Sequence, residues 1–306
     1  MSSSASLPSA SSTPPPEVTM LPSDGDRTGT VIAASVVFWF LGAVAVSLRF
    51  YARAKIVRVL GAEDWTMLGS LFFATGVSVV QIIMTTVGWG THVWTIPSDN
   101  FIAIQKLTLS LILVYQISLV FTKMSILFLY LRILTYHHAR WAVYALMAVV
   151  IIYNLWGIIS ELTVCTPLEK LFQMEEYDAC HPVSFTWASV ALHIATDFLI
   201  FFLPIPVFFR LKMPAREKIT VVILFSLGFF ACVISILRAV WVTQQARSQD
   251  VTWDFVPISV WNVVEVNMVI FCACGMTYKP LIAKFWPRWF TPPEKSGDVS
   301  PSDNGQ

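Results

Sequence analysis

Seven apolar runs, each long enough to cross a bilayer, divide the chain at 30–48, 65–87, 102–131, 141–160, 184–206, 219–242 and 257–275. A crossing helix needs ~20 mostly apolar residues, because the hydrocarbon core is ~30 Å thick and a helix rises ~1.5 Å per residue. Lipid offers no hydrogen bonds to the backbone, so runs of this kind are read as helices that satisfy themselves. The third run is overlong, which predicts tilt or an extension past the membrane. Composition agrees: 13% of residues are charged and 56% hydrophobic, with a mean hydropathy of +0.67. A soluble domain carries ~25% charged residues. The expected fold class is therefore all-α, a seven-transmembrane helix bundle in the plasma membrane or an endomembrane, with the lipid bilayer as its first partner.

Basic residues orient the bundle. Arg49, Arg53, Lys55 and Arg58 follow span 1; Arg132 and Arg140 follow span 3; Arg210, Lys212, Arg216 and Lys218 follow span 5; Lys279, Lys284, Arg288 and Lys295 follow span 7. Only Arg27, Lys170 and Arg247 fall on the other side. Cytoplasmic loops collect Lys and Arg, so the N-terminus is expected outside and the C-terminus in the cytosol. These loops are explained by topology and give no reason to invoke nucleic acid.

Residues 1–29 are rich in Ser, Pro and Thr without the basic and apolar regions of a signal peptide, and read as a disordered N-terminal tail. Residues 30–290 form the membrane domain, and 291–306 read as a disordered C-terminal tail. After span 7, "KPLIAKFWPRWF" interleaves basic and aromatic residues, which suits either a short helix at headgroup level or a solvated linker. Of five cysteines, Cys232, Cys272 and Cys274 lie within spans and read as packing residues. Cys165 and Cys180 share the outside loop between spans 4 and 5, where an oxidising exterior favours a disulfide. That loop also carries Glu161, Glu169, Glu175, Glu176 and Asp178, an acidic surface that reads as solvated.

Ionisable groups inside spans cost ~2.5–3.5 kcal/mol each on insertion scales, so they are expected to face the bundle and to find partners. Here they are Lys106, Lys123, His193, Asp197, Arg238 and Glu265, with Asn154, Asn262 and Asn267 as neutral company. Gln105, Gln116, Lys123 and Tyr130 fall on one line of span 3. His193 and Asp197 are four apart and share a face. Helical rise puts His193 and Glu265 roughly 12–14 Å below the outer boundary, Asp197 near the midplane and Lys123 deeper. Asp197 is thereby expected to meet Lys123, and Glu265 to meet Arg238 or His193. Two readings stay open. The polar residues are interhelical clamps, with Lys106, Lys123 and Asn262 as candidates, or His193, Asp197, Arg238 and Glu265 line a ligand pocket open to the outside.

Several stretches resemble the fungal rhodopsin-domain family of integral membrane proteins. They are "RFYARAKIVRVLGAEDWTML", "GWGTH" (88–92), "KMSILFLYLRI" (123–133), "CTPLEKLF" with the later Cys180, "TDFLIFFLPIP" (196–206), Arg238, and "DVTWDFVPISVWNVVE" leading to "CACGMTYKPL". The resemblance runs from about 30 to 285 in order and spacing. It implies a seven-helix protein of a filamentous fungus, receptor-like in some members and encoded among secondary-metabolite genes in others. Relatives commonly carry Asn at the position of His193 and Pro near Met276. Several receptor-like members add a Cys-rich outer domain and a long cytosolic tail, neither of which this sequence contains.

Span 7 has no lysine in its middle, and Lys279 lies past its end, so a retinal Schiff base is excluded. No cofactor and no metal are expected. Three functions are weighed: a receptor-like protein binding a small lipophilic or polar ligand, a membrane-embedded enzyme or accessory protein acting on a lipophilic intermediate, and a transporter. The chain holds no His-Glu-x-x-His, Gly-x-Ser-x-Gly, Cys-x-x-Cys or phosphate loop. Internal repeats that would suggest a transporter are missing. The receptor-like reading comes first; its protein partner is left open.

Overall fold

The computed structural model describes residues 27–134, 136–163, 184–205, 215–245, 250–275 and 277–278. Cys165, Cys180, both tails and the segment after span 7 lie outside the described residues. Seven long helices carry the fold: α1 (Thr28–Tyr51), α2 (Ala62–Thr86), α3 (Ser98–Ile133), α4 (His137–Leu162), α5 (Ser184–Phe202), α6 (Ala215–Gln245) and α7 (Val256–Gly275). Five of them have the length and hydropathy of a membrane span, and α5 and α6 contain shorter apolar stretches, Trp187–Phe202 and Ser226–Val242. Each helix packs on the next, and α7 closes the ring against α1 while also touching α2 and α3. The end where α1 begins is called the upper end here.

Apolar side chains face both ways, as lipid requires. Val31, Met67, Ala74, Val77, Leu111, Val263 and Ile270 are buried in the main core. Phe72 is 73% exposed and Ile152 67%, which places large apolar groups on the outer wall. Trp65 and Trp141 stand exposed in the first turns of α2 and α4 at the lower end, and Trp94 stands exposed at the upper end. Aromatic belts of this kind mark the two membrane–water boundaries. Helices hold together through small polar groups that need partners in an apolar medium. Ser70 Oγ bonds Thr122 Oγ1 at 2.5 Å, Trp39 Nε1 donates to Thr75 at 2.8 Å, and Gln81 Nε2 donates to the Ser259 carbonyl at 2.6 Å.

The lower end carries an ion cluster. After α1 the chain makes a wider π turn (Ala52–Val57) that stops at Arg58 in the left-handed region, φ 55°. α2 then starts with Glu63 and Asp64 in its first turn, where the helix dipole favours acids, and Asp64 Oδ2 accepts from Gly61 N at 3.1 Å. Arg49 Nε meets Asp64 Oδ1 at 2.9 Å and its Nη1 donates to the Ala273 carbonyl of α7 at 3.2 Å. Arg53 lies 3.2 Å from Glu63, and Arg132 of α3 reaches the same carboxylate at 2.6 Å. Arg49 and Arg53, counted above as loop charges, thus turn inward, and with the exposed Arg132 they tie α1, α2, α3 and α7 together.

Candidate functional site

A continuous polar chain crosses the bundle from α3 to α7. Lys123, 2% exposed, is the hub at one end. Its Nζ lies 2.9 Å from Asp197 Oδ1 and donates to Thr196 Oγ1 at 2.8 Å and to Tyr153 OH at 3.2 Å. Asp197 Oδ2 accepts from Ser235 Oγ of α6 at 2.9 Å. His193, one turn above Asp197 on α5, shares its Nε2 between Asp197 (3.3 Å) and Glu265 (3.2 Å). Glu265 is fully buried and accepts a hydrogen bond from the Tyr115 hydroxyl. Its third neighbour, after His193 and Tyr115, is Arg238 Nε at 3.5 Å. Arg238 in turn donates to Asn262 Oδ1 at 2.8 Å and lies over the Tyr115 ring, 4.5 Å from the centroid.

The local reasons are helical spacing and charge balance. His193 and Asp197 occupy successive turns of one face, as do Asn262 and Glu265 on α7, so two helices aim four polar groups at one layer. Lys123 and Arg238 offset Asp197 and Glu265. An uncompensated charge at this depth would cost several kcal/mol. His193, Asp197 and Glu265 bring three potential ligand atoms within 4.8 Å of one another. Lys123 and Arg238 already stand against the two carboxylates and compensate their charge, so this donor set favours an ion-paired, hydrogen-bonded network over a metal ion.

Above the chain lies a cavity of about 250 Å³, just below the ~300–1,000 Å³ typical of ligand clefts. It is walled by apolar groups of α3, α5, α6 and α7, among them Leu111, Ile112, Val190 and Ile258. Of the four residues read as ligand candidates, His193 and Arg238 line it, and Asn262 does as well. Asp197 and Glu265 stand behind them. Lys123 is in the chain but not on the cavity wall. Lys106 is exposed on the flank of α3, apart from this layer.

Several residues at the site escape the sequence pattern. Tyr115 bridges Arg238 and Glu265 but reads as one more aromatic in span 3. Trp89 of the "GWG" loop lines the cavity and donates to Ser259 Oγ at 3.0 Å. The flanking Gly88 (φ 112°) and Gly90 (φ 100°) allow the turn that sets it there. The loop is fastened over the upper end: His92 Nδ1 meets Asp250 Oδ2 at 2.6 Å and Val93 N donates to Asp250 Oδ1 at 3.1 Å. The His92 ring stacks between Trp94 (4.5 Å) and Trp253 (4.3 Å), and the Arg27 guanidinium lies 4.2 Å from the Trp253 ring centroid. Glu161, read above as a loop acid, lies within α4 and faces the cavity.

Residues 48–284 match the fungal rhodopsin domain, a stretch that takes in six of the helices and the end of α1. The chain belongs to this family. Among curated relatives, this fungal rhodopsin-domain protein is 26% identical to "Receptor GIN3" of Arthrobotrys oligospora over 84% of its own length and 63% of the receptor's. It therefore spans less than two thirds of that relative. It is 24% identical to "Polyenoic acids biosynthesis gene cluster protein Ba17b" of Metarhizium anisopliae, covering 81% of this chain and 72% of that one. It is 26% identical to "Wortmanamides biosynthesis cluster protein C" of Talaromyces wortmannii, over 88% and 75%. No solved structure matches the chain. The fungal rhodopsin-domain protein is a multi-pass integral membrane protein, which the family and its helices establish together.

Proposed function

We propose that this protein is receptor-like and binds a small, mainly apolar ligand in the cavity above the His193–Arg238 layer, with the upper end facing outside. The observation that carries the reading is the arrangement of the layer. Polar groups of α3, α5, α6 and α7 meet in one network directly beneath the cavity, so a ligand touching His193 or Arg238 bears on four helices at once. A ligand that distinguishes two packings of those helices shifts their balance by its difference in affinity.

A second reading, an enzyme or accessory protein acting on a lipophilic intermediate, draws on the relatives named for biosynthetic clusters. The geometry favours it less. Asp197 and Glu265 face cations at 2.9 and 3.5 Å and neither lines the cavity, whereas a general base needs hydrogen-bond reach to its substrate; Glu161 does line it but stands apart from this network, with no partner among the described residues to share in proton transfer.

The test uses the full chain in lipid nanodiscs, incubated with an apolar fungal extract, with retained small molecules read by mass spectrometry. Gly157 lines the cavity, and a leucine there projects into it. A compound retained by the wild type and lost in Gly157→Leu supports the reading. Equal retention by both, or a retained compound returned chemically altered, refutes it.

A further inference from the structure

The cavity has a second polar wall, opposite in character to the Arg238 layer. Of the charged side chains lining it, Arg238 has Glu265 and Asn262, and His193 has its two carboxylates. Glu161 has no counter-ion and no hydrogen bond among the described residues. Gln116 lines the same cavity, and its Oε1 is buried and makes no hydrogen bond. The two belong to one spot. A Cβ on Gly157 would lie 3.3 Å from Gln116 Oε1, and Glu161 is one turn further along α4. Helical side chains lean toward the N-terminus of their helix, which brings the Glu161 carboxylate back over the Gly157 turn. Gly157 leaves space beside the Gln116 amide, and both Gln116 and Glu161 line the cavity there.

We propose that Glu161 and Gln116 form the subsite for a cationic group, a protonated amine carried on an apolar body. The inference rests on the cavity being a ligand site. A buried acceptor without a donor is costly, and a carboxylate without a counter-charge more so. An ammonium supplies three donors and one positive charge, which compensates Glu161 and, once the Gln116 amide turns toward the cavity, gives its Oε1 a donor. A hydroxyl supplies a single proton and leaves the charge uncompensated; a carboxylate is repelled. At the other pole Arg238 offers only donors, so the ligand's second polar group is an acceptor. The amine end and the acceptor end then fix the ligand's direction in the cavity.

Three probes of one shape separate the possibilities: cyclohexylmethylammonium, cyclohexanecarboxylate and cyclohexylmethanol. Each is titrated against the full chain in nanodiscs, with Kd taken from the rise of the unfolding midpoint with probe concentration. The expected result is saturable binding of the ammonium, weakened about tenfold or more in Glu161→Gln, several-fold in Gln116→Leu, and tightened in Gln116→Glu. The last variant keeps the test readable if Glu161→Gln fails to accumulate. Stronger binding of the carboxylate or the alcohol, or ammonium binding indifferent to both positions, overturns the cationic subsite and leaves the cavity reading standing. Absence of binding by all three probes, with Gly157→Leu indistinguishable from wild type, overturns both.

Discussion

Lys123 Nζ and Asp197 Oδ1 lie 2.9 Å apart within the bundle, joining α3 to α5, and the cation is 2% exposed while the carboxylate retains 15%. Removing one charge strands the other. Lys123→Met is expected to destabilise the protein by ~3–5 kcal/mol, whereas the double variant Lys123→Met/Asp197→Leu should recover most of that loss. Unfolding midpoints in one detergent measure both. A single variant as stable as the wild type would show the pair to be dispensable. If the pair acts as a clamp, Asp197→Asn lowers folded yield and leaves ligand binding per folded molecule unchanged.

Gly42 of α1 packs directly on Asn267 of α7. A Cβ at Gly42 would stand 2.7 Å from Asn267 Oδ1, which is buried and makes no hydrogen bond. Gly42→Ala should therefore cost ~1–3 kcal/mol, as overpacking does. Adding Asn267→Ala should remove the clash and much of the penalty. Additive effects in this double-mutant cycle would mean that the helices move apart freely.

How far the site can be read without a structure depends on the residue. The seven helices follow from apolar length, and the inward turn of His193, Asp197, Lys123 and Glu265 follows from the cost of charge in lipid. Arg49 and Arg132 defeat this logic. They sit at span ends, where a solvated loop charge and a buried ion-pair partner look alike, and only the π turn after α1 brings Arg49 and Arg53 onto Glu63 and Asp64. Glu161 is lost for a different reason: α4 runs two residues past the apolar run, so a wall residue reads as part of a loop. Trp89 gains its place from two positive-φ glycines, a backbone feature with no hydropathy signal.

The arginines of the lower cluster should differ in weight. Arg49 is fully buried and serves Asp64 together with the carbonyls of Ala273 and Glu63. The Arg132 side chain is 38% exposed and serves Glu63 alone, which Arg53 also holds. Arg49→Leu should cost ~3–5 kcal/mol, Arg132→Leu ~1 kcal/mol or less. Equal losses would contradict this ranking.

Membrane orientation and the Cys165–Cys180 pairing are open to direct chemistry. With the basic loops cytosolic, protease added to intact cells should remove an N-terminal tag and spare a C-terminal one. The loop between α4 and α5 is then outside, and non-reduced peptides should carry Cys165 joined to Cys180. A protected N-terminal tag would reverse the orientation; two free thiols in the mature protein would dismiss the bridge.

Asp250 fastens the loop over the upper end of the bundle through two bonds, one to the His92 ring and one to the Val93 amide. The same segment accepts the Gly90 amide on the Thr252 carbonyl and donates from Thr252 Oγ1 to the Thr91 carbonyl. Replacing Asp250 by Ala takes away the first two and leaves the last two, so the helix bundle keeps its packing while the 88–96 loop loses its carboxylate anchor. Loss of a buried-side acceptor shared by two donors costs ~1–3 kcal/mol, and that cost falls on local opening rather than on global unfolding. Hydrogen exchange of Asp250→Ala should therefore speed up at the amides of Thr91, Val93 and Ile96 by roughly tenfold or more, with protection in the middle of α3 and α7 unchanged. His92→Phe, which keeps the stack between Trp94 and Trp253 but drops the ring nitrogen, should give a smaller effect of the same kind. Uniform loss of protection along the chain would mean that the loop is an integral part of the bundle; unchanged exchange at the loop would mean that Asp250 does not hold it.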